Sequence, residues 1–246
     1  MFTTAVLWVG SKSLSHVLAG IERTKDRLLD AGAVSEAARA QIIAAVMAYW
    51  GAHPGVAVSI VEKLLNYAIL SPAVVVQWAL SDHDGSRLSQ AHVYEMVAHT
   101  VAKVTGRARQ VLLLTSAAGG MIMDVDGASA AGSIPEVQAM RDLFKLLDDS
   151  LVAWASGSKD EMIEAADSGS GGRDLLVKHW GKRWLRVFRR RAAIEEAFVV
   201  DVAKRAAIAA VDADGAVANG AAVDADVARA NGSGGEGHGG EDAEIE

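Results

Sequence analysis

The chain has no cysteine in its 246 residues. Disulfides and thiolate metal sites are therefore excluded, and the composition suits a reducing compartment, cytosol or nucleus alike. Proline occurs only three times, and long stretches also lack glycine, as helical sequences do. Aromatic bulk is thin, with four Phe and three Tyr. The hydrophobic fraction is nevertheless 51%, much of it alanine and valine, which suits close helix–helix packing. No apolar run reaches the roughly 18–20 residues of a membrane span. The opening stretch FTTAVLWVG is short and has no basic leader, so no secretory signal is expected. The motifs of several enzyme classes are missing as well. There is no Gly-x-Ser-x-Gly, no Gly-x-x-x-x-Gly-Lys phosphate loop and no Gly-x-Gly-x-x-Gly after a strand. The reading is of a non-catalytic protein with no cofactor and no small-molecule substrate.

What is present is helical periodicity, centred on residues 40–80. Apolar segments meet there at Gly51-Ala52-His53-Pro54-Gly55 and again at Ser71-Pro72. Proline suits the first helical position, where its missing N–H would have no partner anyway. Ser71 supplies a capping hydroxyl. Between the breaks, Val56, Ile60, Leu64 and Tyr67 follow one face, and Val58, Val61, Leu65 and Ile69 a second. Only Glu62, Lys63 and Asn66 leave a polar strip. Such a helix belongs inside a stack. Trp50, Ile60, Leu64, Trp78 and Val97 are the expected core.

The same pattern extends along the chain. Val6, Leu7, Trp8 and Val9 read as an apolar plug. Ser11 or Ser13 caps a helix that ends at Asp30-Ala31-Gly32. Ser35 caps a helix to about Trp50, with Ile42, Ile43, Val46, Met47 and Trp50 inward. A further helix runs from about Leu88 to Thr105 and stops at Gly106. The period fails from Val111 to Ile134, so an irregular loop is predicted at about 111–135. Helix returns from Glu136 to Ala155, and Ser158 caps a short one through Ala165. Residues 168–172 form a break. The last helix runs from about Arg173 to Ala209, with Trp180, Trp184, Val187 and Phe188 on its apolar face. The spacing thus predicts an all-α fold of stacked antiparallel hairpins over residues 1–210, with roughly eight helices. Residues 211–246 read as a disordered acidic tail rich in Gly and Ala.

Net charge is −7, which gives no case for nucleic-acid binding by the chain as a whole. Residues 178–191 are strongly basic, however. Lys178, Lys182, Arg186 and Arg189 or Arg190 step down one helix face, with Arg183 beside them. This stripe suits phosphates, an acidic protein partner or plain solvent. The tryptophans lie on the opposite, apolar side and read as core anchors. His92, Glu95 and His99 share a face at metal-ligand spacing, but no second ligand cluster accompanies them, and solvated side chains are the simpler reading. Asp82-His83-Asp84 reads as a polar turn.

Several segments resemble the large subunit of the nuclear cap-binding complex in its fungal form. They are WVGSKSLSH from Trp8, YWGAHPG from Tyr49, VEKLLNY from Val61, AHVYEMV from Ala91, MRDLF from Met140, LVAWASGSKD from Leu151 and WGKRW from Trp180. Together they cover most of residues 5–200 and match that family's last helical domain in order. The resemblance implies a HEAT-like, armadillo-like stack related to the middle domain of the initiation-factor 4-gamma scaffold. It implies a nuclear protein, shuttling to the cytoplasm, that serves mRNA processing and export. Its implied partner is the small RNA-recognition-motif subunit, whose aromatics hold the capped guanine. Capped RNA is then bound only indirectly, and no cap-contacting residue carries over to this chain. The family's large subunit has three such domains, and this chain has room for the last.

Overall fold

Serines and prolines set most of the helix starts. The computed structural model describes residues 2–82, 84–117, 134–157 and 171–231. Eight α-helices lie among them: α1 Phe2–Val9, α2 Leu14–Ala33, α3 Glu36–Tyr49, α4 Pro54–Asn66, α5 Pro72–Leu80, α6 Ala91–Ala117, α7 Pro135–Ser156 and α8 Gly171–Asn231. A short 3-10 turn, Ser86–Ser89, joins α5 to α6. No strand occurs among the described residues. Ser13, Ser35 and Ser71 accept hydrogen bonds from the backbone N–H groups of His16, Ala38 and Val74, at 3.3, 3.1 and 3.3 Å. Each satisfies one amide that its helix leaves unpaired. The three prolines open α4, α5 and α7. Gly157, with φ of 79°, closes α7 in the left-handed conformation that glycine adopts without strain.

Packing follows chain order. Among the described residues α1 packs on α2 and α3, α2 on α4, α3 on α5, α4 on α6, α5 on α7, and α6 and α7 on α8. Strong contacts between α-helices join only neighbours or next neighbours, which is the arithmetic of a solenoid. The main core runs continuously from Val6 and Leu7 in α1 to Trp184 and Phe188 in α8. Helix α4 sits in its middle, with Ala57, Val58, Ile60, Val61, Leu64 and Leu65 all buried.

Several sequence expectations need correction. The N-terminal plug is half a plug: Val6 and Leu7 are buried, while Trp8 is 69% exposed and Val9 lies out beside it. Helix α2 passes through Asp30-Ala31-Gly32 and ends at Ala33; Gly32 is buried there, and a Cβ on it would lie 3.0 Å from the Ile69 carbonyl oxygen. Trp78 is only half-buried, and Arg87 covers its ring at 4.0 Å. Trp50, Ile60, Leu64 and Val97 are buried.

The largest difference lies at the end of α6. Gly106 does not stop the helix, which continues to Ala117. Its buried line runs Val101, Thr105, Ala108, Leu112, an unbroken helical period. Leu113 and Leu114 point to solvent and obscure that line in the sequence. The remainder of the predicted loop, 118–133, lies outside the described residues, as does the predicted short helix from Ser158 to Ala165. Of the break expected at 168–172, Gly171 and Gly172 already belong to α8, and residues 168–170 lie outside the described set. At the other end the backbone of α8 stays helical to Asn231, beyond residue 211 where the tail was expected. The stretch is rich in alanine, the strongest helix former. Residues 232–246 lie outside the described set.

Candidate functional site

Helix α8 carries the basic stripe, and two glycines let it come close enough to be fixed there. A Cβ on Gly85, where φ is +65°, would lie 2.6 Å from a methyl of Val177. A Cβ on Gly181 would lie 3.1 Å from the Trp154 Cβ. Trp154 is buried in turn and donates its indole N–H to the Leu80 carbonyl at 3.1 Å. The inward face of α8 then presents Trp184 and Phe188 to Tyr94 of α6. The Tyr94 and Trp184 ring centroids are 5.1 Å apart at 74°, an edge-to-face contact.

Ion pairs hold the next turns of α8. The Glu195 carboxylate is 1% exposed. Arg109 of α6 donates to its Oε2 at 2.5 Å. The Arg191 Nε lies 2.7 Å from Oε1, but off the hydrogen-bonding line, so that contact is an ionic one. Arg141 of α7 donates twice to Glu196, at 2.8 and 3.0 Å, and this bidentate bond raises its pKa above the usual guanidinium value. Below these pairs a smaller core closes the far end of the domain. It joins Ala108 and Leu112 of α6, Val137 and Met140 of α7, and Val199 and Val202 of α8.

The six candidate cations fare differently. Lys182, Arg183, Arg186 and Arg190 are exposed, and Lys178 is half-buried. Arg189 is exposed but committed: it donates to both Asp148 oxygens of α7 at 2.5 and 3.0 Å. That bond lowers the Asp148 pKa and raises that of Arg189. Arg189 therefore latches α8 to α7 and leaves the phosphate-facing set. Arg183 lies 5.2 Å from the Trp180 ring centroid as a cation–π neighbour. Among the described residues no carboxylate pairs with Lys182, Arg186 or Arg190.

The arrangement suits contact with polyanions or acidic surfaces. The other candidates resolve into ordinary roles. His92 is half-buried, with Glu95 and His99 exposed, and no three His, Cys, Asp or Glu side chains converge as metal ligands among the described residues. Asp82 accepts from Ser86 Oγ at 2.9 Å and from the Arg87 N–H at 3.0 Å. Asp84 accepts from the Ser86 N–H at 3.1 Å, which lowers its pKa. These carboxylates cap the 3-10 turn, and His83 lies outside the described residues. Sequence reasoning missed the Arg109–Glu195–Arg191 cluster. Its only local trace is the i, i+4 spacing of Arg191 and Glu195. No described helix is long and apolar enough to cross a membrane.

Comparison with known proteins agrees with this architecture. Over 102 residues the chain is 26% identical to nuclear cap-binding protein subunit 1 of Schizosaccharomyces pombe. The aligned stretch is 42% of this chain and 13% of that protein, so the chain spans a small part of its relative. The family model described as MIF4G like matches residues 1–197, from the first helix through the basic stripe and the Glu195 cluster. With its helices stacked in chain order and that match over most of its length, this chain belongs to the MIF4G-like family.

Proposed function

We propose that this chain is a non-catalytic scaffold domain of a nuclear cap-binding complex large subunit. It supports capped-RNA binding by a small RNA-recognition-motif subunit, and it does so through protein contacts. It works in the nucleus, shuttles to the cytoplasm, and serves mRNA processing and export. The observation that carries the reading is the likeness to nuclear cap-binding protein subunit 1 inside a MIF4G-like domain. The aromatic geometry supports the indirect role. A capped guanine needs two parallel faces, whereas the rings around α8 meet at 74°, 64° and 42°. Trp184 is itself buried at 1% exposure.

Isothermal titration of the full chain with the purified small subunit tests this reading. A saturable one-to-one complex that co-elutes on gel filtration is the expected result. Absence of heat and of co-elution at concentrations well above micromolar would remove the scaffold role.

A second reading is direct binding of RNA phosphates. The exposed set Lys182, Arg183, Arg186 and Arg190 favours it, because no carboxylate among the described residues pairs with these cations. Its signature is a steep loss of affinity with salt.

A further inference from the structure

Between the 3-10 turn, the start of α6 and α8 lies a cleft of about 270 Å³. Leu88, Tyr94, Trp180, Trp184 and Val187 make its apolar walls, and Arg183 stands at its edge. No carboxylate lines it. Val187 is 41% exposed at the mouth. On α8, Arg183 lies four residues before Val187 and Arg190 three residues after it, so both cations flank the mouth on one helix face. Arg186 and Lys182 continue the positive surface outward, and all four side chains are exposed.

We infer that this cleft is a docking site for an acidic peptide segment of a partner protein. One large apolar side chain of that segment enters between Trp180, Tyr94 and Val187. Its flanking carboxylates meet Arg183, Arg186 and Arg190. Charge complementarity selects the partner: an apolar cleft with Arg183 at its edge, Arg186 and Arg190 beyond it and no carboxylate in its lining favours acidic flanks and disfavours basic ones. The volume suits a single Leu- or Phe-sized anchor. RNA fits the same cations less well. Tyr94 and Trp184 in the cleft meet edge-to-face and offer no parallel slot for a base, and Arg183 already lies against the Trp180 ring. Such stacking is what single strands use for affinity. The inference goes beyond the scaffold reading and does not depend on the small subunit.

Fluorescence anisotropy with the full chain tests it. The probe is a short fluorescein-labelled peptide with a central Leu-Phe pair flanked by Asp and Glu. One control replaces the Leu-Phe pair by serines, and another replaces the acids by Asn and Gln. A third arm competes the probe with an uncapped oligoribonucleotide. The probe should bind saturably, and each peptide control should weaken binding roughly tenfold. Val187→Asp, an exposed site whose change leaves the core intact, should weaken it to a similar degree, as should Arg183→Glu with Arg190→Glu. Circular dichroism confirms that the variants stay helical. Lack of binding would overturn the proposal, as would equal affinity for the serine control. Competition by the RNA with the same sensitivity to Val187→Asp would give the surface to nucleic acid. A dimer of the chain that Val187→Asp dissolves would give the cleft to a second copy.

Discussion

Removing both arginines that face Glu195, by Arg109→Ala with Arg191→Ala, is expected to destabilise the domain by about 3–5 kcal/mol. The Glu195 carboxylate is 1% exposed and has these two cations as its neighbours. With both gone it becomes a buried charge without compensation, which is the costly case. Either single change should cost much less, since one arginine remains within reach. The two arginines are themselves roughly two-fifths exposed, so Glu195→Gln should also be mild: both cations recover water when the charge is lost. The double variant should therefore lose clearly more than the sum of the singles. Urea unfolding followed by circular dichroism measures this, with the midpoint falling at constant slope. Additive single effects would show that Glu195 finds water or another partner, and that the cluster is no lock between α6 and α8.

Leu64→Ala is expected to cost about 2–5 kcal/mol. Leu64 is 1% exposed in the middle of α4, the helix that packs on α2, α3 and α6. Truncation opens a cavity that neighbours on three sides cannot all close. Chemical denaturation reads the loss directly. A change below about 0.5 kcal/mol, the level of surface sites, would place Leu64 outside the core and break the central helix assignment.

Much of this fold was legible because its signals are local. Ser35 and Ser71 cap the helices their positions announce, and Pro54 and Pro72 open α4 and α5. Of the α7 stripe Val137, Met140, Phe144, Leu147, Leu151 and Trp154, all are buried but Phe144, which is half-buried. What failed was reading the absence of a signal. Leu113 and Leu114 break the visible pattern of α6 because they face solvent, although Ala108 and Leu112 continue the buried line. Gly106 has open space around it and costs the helix little enough to be carried through. The alanine-rich stretch after residue 211 lacks large apolar residues, yet its backbone is helical to Asn231.

The site was legible to the same extent. The cations of 178–191 were visible as a stripe, and Lys182, Arg186 and Arg190 are exposed as their spacing suggests. Arg189 differs because its partner, Asp148, lies 41 residues away in the chain. The Arg109–Glu195 bond spans 86 residues. No local spacing encodes such pairs. They follow only from the close seating of α8 on α6 and α7, which Gly85 and Gly181 permit.

The central claim is that this domain contributes to capped-RNA recognition through protein contacts and makes no cap contact itself. Its net charge of −7 gives weak overall attraction to a polyanion, and the rings packed around α8 meet at 74°, 64° and 42° and not in parallel. The direct measurement is titration of the isolated chain with short capped and uncapped RNAs, at low and at physiological salt. The account predicts no cap preference at either salt, with any weak binding through Lys182, Arg186 and Arg190 disappearing as salt rises. A cap-dependent affinity that survives physiological salt without the small subunit would contradict it and make this chain a direct reader of capped RNA.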